Sequence, residues 1–352
     1  MAISIQDAEI AHSIQVIKTA NGMVKGVDTH LKVIAEYVRS RLAKHDYIDT
    51  QKLLNEIRKD VDEVVLKELS EFISELSGDM NSLADVEINF NREILVAGTS
   101  ATAIASPSSA NVYKLFEKVP LVLNGQATTV DDYLSGFVSA QRDRIKSILI
   151  GGWANGKTTS EISKEIIGTP SMRGSLDIAR SSAFRMAKDL SSHLSNTAKT
   201  SFARENDDVI VGERQVSTLD SKTSDICQAN DGREYYYDKD GYNFPRPPLH
   251  MNCRSTMTFI INPEYELSRD STRPAVVNGE AKQVNAKEDY VSWIKRQPYE
   301  VQVEALGAKR ALLINNMSAD DFRKSAYNQL GEYITLDQMA ARSKKISDLL
   351  AA

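Results

Sequence analysis

The sequence predicts a mainly α fold with one small β-rich module, an α+β chain, and three observations carry that prediction. Apolar residues recur at steps of three and four through long stretches on both sides of the middle. Aromatic residues make up only 7% of the 352, which suits long helices better than aromatic-rich strands. Strand-like runs gather between residues 206 and 262.

Residues 1–96 form an N-terminal helical region. Ile14, Ile17 and Val24 open its pattern, and Leu31, Ile34, Val38 and Leu42 continue it. The polar stretch Lys44–Tyr47 ends that segment. Leu53, Leu54, Ile57, Val61, Val64, Val65 and Leu69 then form a second stripe, and the periodic pattern runs to about Leu76. Charged residues fill the opposite faces, so the stripes predict helix-on-helix core. Residues 97–128 read as a linker or arm with a short strand. Ala97–Ala110 is rich in small residues, and Leu121-Val122-Leu123 precedes the hairpin signal Asn124-Gly125.

Residues 129–205 return to helix, with Val130, Tyr133, Leu134, Phe137, Ile145 and Ile148 at helical spacing. A turn is expected at Gly151-Gly152, then a short helix stopping at Gly168-Thr169-Pro170. A longer helix follows over about Asp177–Arg204, with Ala179, Ala183, Met186, Ala187, Leu190, Leu194 and Ala198 inward. Residues 206–262 are the β-rich module, built on Val209–Val216 and Thr256–Ile261, with Tyr235-Tyr236-Tyr237 between them. Residues 263–352 read as a linker and a helical tail. Its helices lie around Tyr290–Ile294 and over Tyr299–Leu306, where Pro298 starts the second and Gly307 stops it. No internal repeat is visible.

Composition excludes several classes. Net charge is -5, which argues against a generic basic nucleic-acid coat while leaving room for a local basic face. Two cysteines cannot staple a disulfide-dense secreted scaffold. Met1–Asp7 has neither a basic n-region nor an apolar h-region, so no signal peptide is expected. No stretch approaches the roughly 18 apolar residues of a membrane span. The expectation is a soluble product made in a cytoplasm, with no membrane partner.

Both cysteines fall in one module. Thr218–Gly232 reads T-x-D-x-x-T-x-x-x-C-x-x-x-D-G in its key positions, and Pro247–Ser255 reads P-P-L-H-x-N-C-R-S. His250 and Cys253 on one tight turn would present imidazole and thiolate to a common point, and Cys227 would join from a neighbouring strand turn. A carboxylate from Asp220, Asp225 or Asp231 would complete tetrahedral zinc. Two other readings stay open: a disulfide between Cys227 and Cys253, or reduced thiols with His250 and an aspartate hydrogen-bonding the loop. Every reading makes the module a structural clip and leaves the catalytic set empty. The clip residues are Cys227, His250 and Cys253, with Asp220 and Asp231 as turn-fixing or fourth-ligand groups. Arg254 is expected to pair with one of those acids.

These two runs together resemble the core of the phage Mu F-like minor head domain, the phage head morphogenesis family. There the second run commonly reads proline, proline, a spacer, histidine, a proline-asparagine pair, then Cys-Arg. Here Met251 stands where proline is usual, and the extra cysteines of some members are missing. The Arg180-Ser181-Ser182-Ala183 helix resembles the helix before the family's module. Trp293–Pro298, with Gln302 and Leu306-Gly307, is similar to its post-module segment. The resemblance covers roughly residues 130–340. It implies a structural virion protein, a minor capsid component acting at the portal vertex in head assembly and in DNA packaging or ejection. Implied partners are the portal protein, scaffold or major capsid protein, and phage genomic DNA. The implied location is the capsid interior or portal vertex, after assembly in the host cytoplasm. The alternatives are a DNA-binding internal ejection protein and an F-like protein with toxin, transferase or nucleotide-hydrolysing activity.

Gly151–Thr158 also matches G-x-x-x-x-G-K-[ST], a phosphate-binding loop. That loop needs a buried strand before it and a long helix after it. Here the preceding Ser139–Lys146 is charged and helical in period, leaving only Ile148-Leu149-Ile150 as strand. A helix–helix turn fits better, with Thr158 and Glu161 as a capping box. His193 reads as a surface or packed histidine, and His12, His30 and His45 show no partners in the sequence. Trp153 and Trp293 read as packing anchors.

Overall fold

A computed structural model describes residues 4–267 and 271–351, so the stretch Met1–Ile3 read for a leader lies outside the described residues. It is 63% helical with 12% strand in small sheets, which establishes the mainly α class with a small β module. The helical body begins with α1 (Ile5–Met23), a single tight turn (Val24–Gly26), α2 (Val27–Leu42) and α3 (Gln51–Gly98). Leu54, Ile57, Val61, Val65, Leu69, Phe72, Leu76 and Met80 are buried at steps of three or four, one continuous stripe. At 1.5 Å per residue, the 48 residues of α3 make a rod of about 70 Å. The periodic pattern blurs after Leu76 because Glu87 and Asn91 take inward positions on the same face. Glu87 is satisfied internally by His12 at 2.7 Å and Ser195 Oγ at 2.7 Å, so polarity there marks a pair and not a helix end.

The segment read as linker holds a further helix, α4 (Ser109–Lys118), and a hairpin of β1 (Leu121–Leu123) and β2 (Gln126–Thr128). Ser108 caps α4, while Val112 and Phe116 bury its inner face. Asn124 and Gly125 both take positive φ, as the two-residue turn requires. Next come α5 (Val130–Ala154), α6 (Thr159–Ile167) and α7 (Ser175–Glu205). The turn expected at Gly151-Gly152 lies at Asn155-Gly156. Both glycines end α5, where a Cβ on Gly152 would sit 2.4 Å from Ile162 Cγ1, so the residue allows α6 to cross closely. Ile148, Leu149 and Ile150 are helical, which removes the strand a phosphate loop needs. Thr158 and Glu161 do form the capping box, and Lys157 pairs with Glu165.

The β module is a three-stranded antiparallel sheet of order β4-β3-β5. Its parts in chain order are β3 (Ile210–Val216), α8 (Asp225–Asn230), β4 (Glu234–Tyr236), the short helix α9 (Tyr237–Asp240) and β5 (Thr256–Ile261). The tail expected to begin as plain linker carries a hairpin, β6 (Thr272–Val277) and β7 (Glu280–Asn285), turned by Asn278 and Gly279 at positive φ. The β7 strand is polar and mostly exposed, so alternation did not betray it. Helices α10 (Tyr290–Lys295), α11 (Tyr299–Leu306), α12 (Ala308–Asn315), α13 (Ala319–Ala326), α14 (Leu336–Arg342) and α15 (Lys344–Ala351) complete the chain.

One hydrophobic cluster runs from Ile5 through α3, α5 and α7 to Phe259 and Ile261. A second gathers the tail around Tyr290, Trp293, Ile294 and Phe322, with Leu219 from the β module and Ala275 from β6. Trp293 is wholly buried and donates Nε1–H to Val276 O at 3.0 Å. The N-terminus is tied across the chain. Glu9 accepts Phe259 N–H at 2.8 Å, and Asp7 accepts Thr272 N–H at 2.8 Å. No helix among the described residues is long and apolar enough to cross a membrane.

Candidate metal centre

Helix α7 is the platform of the site. Its inward side carries polar residues among the small apolar ones, and two of them hold the cysteine loop. Asp189 accepts Asn252 N–H at 2.7 Å and Tyr133 O–H at 2.9 Å. Asn196 donates to Pro247 O at 2.8 Å. Burial pushes the Asp189 carboxyl up to about 6, against the two hydrogen bonds that favour its ionised form. The loop these residues hold contains a cis bond between Pro247 and Pro248, then the tight turn His250–Cys253, closed by Cys253 N–H to His250 O at 3.2 Å. Asn252 lies at positive φ, a conformation asparagine tolerates better than most residues.

The third member arrives from a helix and not from a strand turn: Cys227 lies on α8. Its Sγ is 3.6 Å from Cys253 Sγ and 3.2 Å from His250 Nε2. The three ligand atoms all fall within 4.8 Å of one another. Both cysteines are buried, and both are free thiols. The Cys227 hydrogen bond lowers the Cys253 thiol well below its ordinary range, overcoming burial, and His250 adds to the effect. The same bond, with burial, raises Cys227. Burial disfavours a charged His250, but hydrogen bonding and charge from Cys253 outweigh it and raise its pKa. The two thiols are therefore displaced in opposite directions, Cys253 down and Cys227 up.

The donor set suits a soft or borderline divalent ion: two sulfurs and one imidazole nitrogen, already convergent. His250 Nδ1 faces Met251 O at 3.0 Å, so the ring can donate there and turn its Nε2 lone pair to the sulfurs. Ser224 Oγ is 2.8 Å from the same Nε2. A cavity of about 260 Å³, lined by Ser224, Lys222, His250, Cys227, Arg254 and Ser255, gives room for a fourth ligand.

The aspartates expected beside this cluster are placed elsewhere. Asp220 takes the Arg254 fork at 2.6 and 2.9 Å, along with Lys222 N–H at 3.0 Å. Burial opposes its ionisation, yet the guanidinium prevails and lowers its pKa. Asp231 is wholly committed to Arg273 at 2.9 and 3.0 Å, Ser217 N–H at 2.6 Å and Tyr290 N–H at 2.7 Å. Asp225 accepts Ile226 N–H at 3.0 Å and Tyr333 N–H at 3.3 Å. All three fix turns and leave the thiols without a carboxylate. Sequence reasoning overlooked Asp189, Asn196, Ser224 and Arg273. Polar residues at inward positions of α7 were the available signal for the first two.

The side chains of three of the other four histidines have partners. His193 is buried against Val119 O at 2.9 Å, and burial lowers its pKa to about 4. His12 and His30, expected to stand alone, are partnered from α3. His12 meets Glu87 and stacks on Phe90 at 3.6 Å, while His30 meets Glu68 at 3.0 Å and Glu75 at 3.4 Å. His30, Glu68 and Glu71 also bring ligand atoms within 4.8 Å, but both His30 nitrogens already face carboxylates.

Residues 143–258 match the family model of Phage Mu protein F like protein. The match begins inside α5 and ends within β5, so it contains the whole clip and the α7 platform. It is shorter than the 130–340 stretch read from the sequence and supports a phage Mu F-like protein, the family its motif resembles. No curated protein and no solved structure matches the chain.

Proposed function

We propose that this phage Mu F-like protein is a minor capsid component that acts at the portal vertex during head assembly. The carrying observation is the family match over 143–258, because it falls on the segment whose geometry is a closed clip held by a helix. The family is one of head morphogenesis proteins, which points to a bacteriophage virion as the location. The portal oligomer is the partner we assign, with scaffold or major capsid protein and genomic DNA as further contacts. We assign no catalytic activity: the clustered thiols and imidazole are tied into the fold on every side, as in a structural site.

In this reading Cys227, His250 and Cys253 hold zinc, with Ser224 or water as fourth ligand. Bound zinc would supply a cross-link between α8 and the His250–Cys253 turn, so its binding energy adds to the stability of the module. Asp189 and Asn196 hold the turn in place, and Asp220 with Arg254 closes the other side.

Co-expression with the portal protein of the same phage tests the role. A complex that survives gel filtration and appears in isolated heads is the expected result. Absence from heads and from the complex would refute the assignment. Metal analysis of the purified chain tests the clip separately. About one zinc per chain is expected, lost in Cys253→Ser together with a lowered melting temperature. Unchanged melting in both Cys253→Ser and His250→Ala would remove zinc from the reading.

A further inference from the structure

A cleft of about 670 Å³ lies where the clip meets the C-terminal helices. Four cations from three separate segments line it: Arg233 after α8, Arg323 and Lys324 on α13, and Arg342 at the end of α14. The amides of Asn230 and Gln329 add polar groups, and among the described residues no acidic side chain lines the space. This concentration stands against a chain of net charge -5. Several cations elsewhere each pair with an acid, as in Arg41 with Asp60, Arg142 with Asp62 and Arg180 with Asp28.

The carboxylates that approach do so through Arg323 and the neighbouring turn. Asp289 Oδ1 is 2.5 Å from Arg323 Nη2, and Asp320 Oδ1 is 3.7 Å from Nη1. Glu332 is engaged by Asn328 at 2.9 Å. Arg323 is thereby fixed, while its Nε is buried without a hydrogen-bond partner. Among the described residues Arg233, Lys324 and Arg342 have no ion-pair partner, and Arg233 is steadied only by the Tyr235 ring at 5.0 Å. Like charges held this close repel one another, and an orphaned buried N–H costs stability, so the cleft is built for an anion.

We propose that this cleft binds phosphate oxygens, carried by a nucleic-acid backbone or by free phosphate and nucleotides. Donors converging from three segments suit a tetrahedral oxyanion, whereas a planar carboxylate uses one fork. Arginine's planar set of N–H groups matches phosphate closely. The cleft is open to solvent along Arg233, Lys324 and Arg342, all exposed, so the phosphate can belong to a larger molecule. The proposal stands independently of the portal assignment.

The test uses the full chain, a short fluorescein-labelled DNA in single- and double-stranded form, and inorganic phosphate and ATP as separate probes. Lys324→Gln with Arg342→Gln removes two exposed charges, and melting checks that the variant folds. Lys52→Gln with Lys114→Gln, exposed and outside the cleft, is the charge-matched control. Anisotropy should show DNA binding at least roughly tenfold weaker in the cleft variant, with the control close to wild type. Contact with three duplex phosphates should weaken wild-type binding roughly 40-fold between about 50 and 200 mM salt, less steeply in the variant. If DNA fails to bind but millimolar phosphate or ATP stabilises wild type and not the cleft variant, free phosphate is the source and the site stands. No response to any phosphate probe overturns the proposal, and so does equal weakening in the control. Binding of an acidic peptide with no phosphate response would overturn it as well.

Discussion

Replacing Glu9 with glutamine should change how stability responds to pH. The Glu9 carboxylate is wholly buried between α1, α7 and β5. Oε2 accepts Phe259 N–H at 2.8 Å, and Oε1 lies 3.6 Å from Lys199 Nζ. Lys199 spends its own hydrogen bonds on Thr256 Oγ1, at 3.1 Å, and on Met257 O. Burial penalises the charged carboxylate more than Lys199 and the Phe259 amide favour it, and Glu213 adds to the penalty. The pKa is therefore pushed from 4.5 to about 7. A displacement of that size corresponds to about 3 kcal/mol. The folded chain holds this proton more tightly than the unfolded chain does. Its stabilising contribution is complete below pH 4.5 and is lost as pH rises through 7. Glu9→Gln has no proton to lose there. Urea denaturation of both proteins, stepped across that window, gives wild-type stability minus variant stability, in which other titrating groups cancel. The difference should fall by about 3 kcal/mol from the acid end to the alkaline end. A flat difference, or one that grows with pH, would refute this account of the pocket.

Other substitutions probe the remaining elements. Asp231→Asn strips the counter-charge from Arg273, itself 1% exposed, and should cost roughly 3–5 kcal/mol in a thermal melt. A cost near zero would mean the pair is dispensable. Gly174→Ala places a Cβ 2.2 Å from Gly168 N, so backbone must move, and urea midpoints should report a loss of about 1–3 kcal/mol. Gly151→Ala, with nothing within 4 Å, is the neutral comparison. Lys157→Ala should leave the response to ATP the same as in wild type and shift stability by no more than about 1 kcal/mol. That residue serves a half-exposed pair with Glu165. ATP binding to wild type that the variant loses would restore the phosphate-loop reading.

Much of the architecture was legible because the helices bury stripes that the chain writes openly. Leu54 to Met80 repeat at helical steps, Thr158 and Glu161 announce a cap, and Asn124-Gly125 announces a turn. Cys227, His250 and Cys253 were legible as a set because thiols are scarce in this chain and a proline pair leads into their turn. What escaped was polar and long-range. Glu87 and Asn91 interrupt the stripe of α3; Glu87 is met by His12 of α1 and Ser195 of α7, partners a one-dimensional pattern cannot show, while Asn91 donates to Glu87 O one turn back in α3. Asp220 and Asp231 were near enough in sequence to be ligands, but Arg254 and Arg273 claim them across 34 and 42 residues. The β6–β7 hairpin was hidden because only one face of β6 is buried and β7 has almost no buried face.

The tie between Glu9 and Phe259 also sets a timetable. The partners are 250 residues apart, and a ribosome adds roughly 5–20 residues each second. The first helix therefore waits on the order of 10–50 s before the strand that completes its burial emerges. Over that interval its apolar side and an ionisable glutamate are exposed to the cell. A nascent chain stalled short of β5 should recruit chaperones at its amino end, and release should follow synthesis of the last strand of the clip.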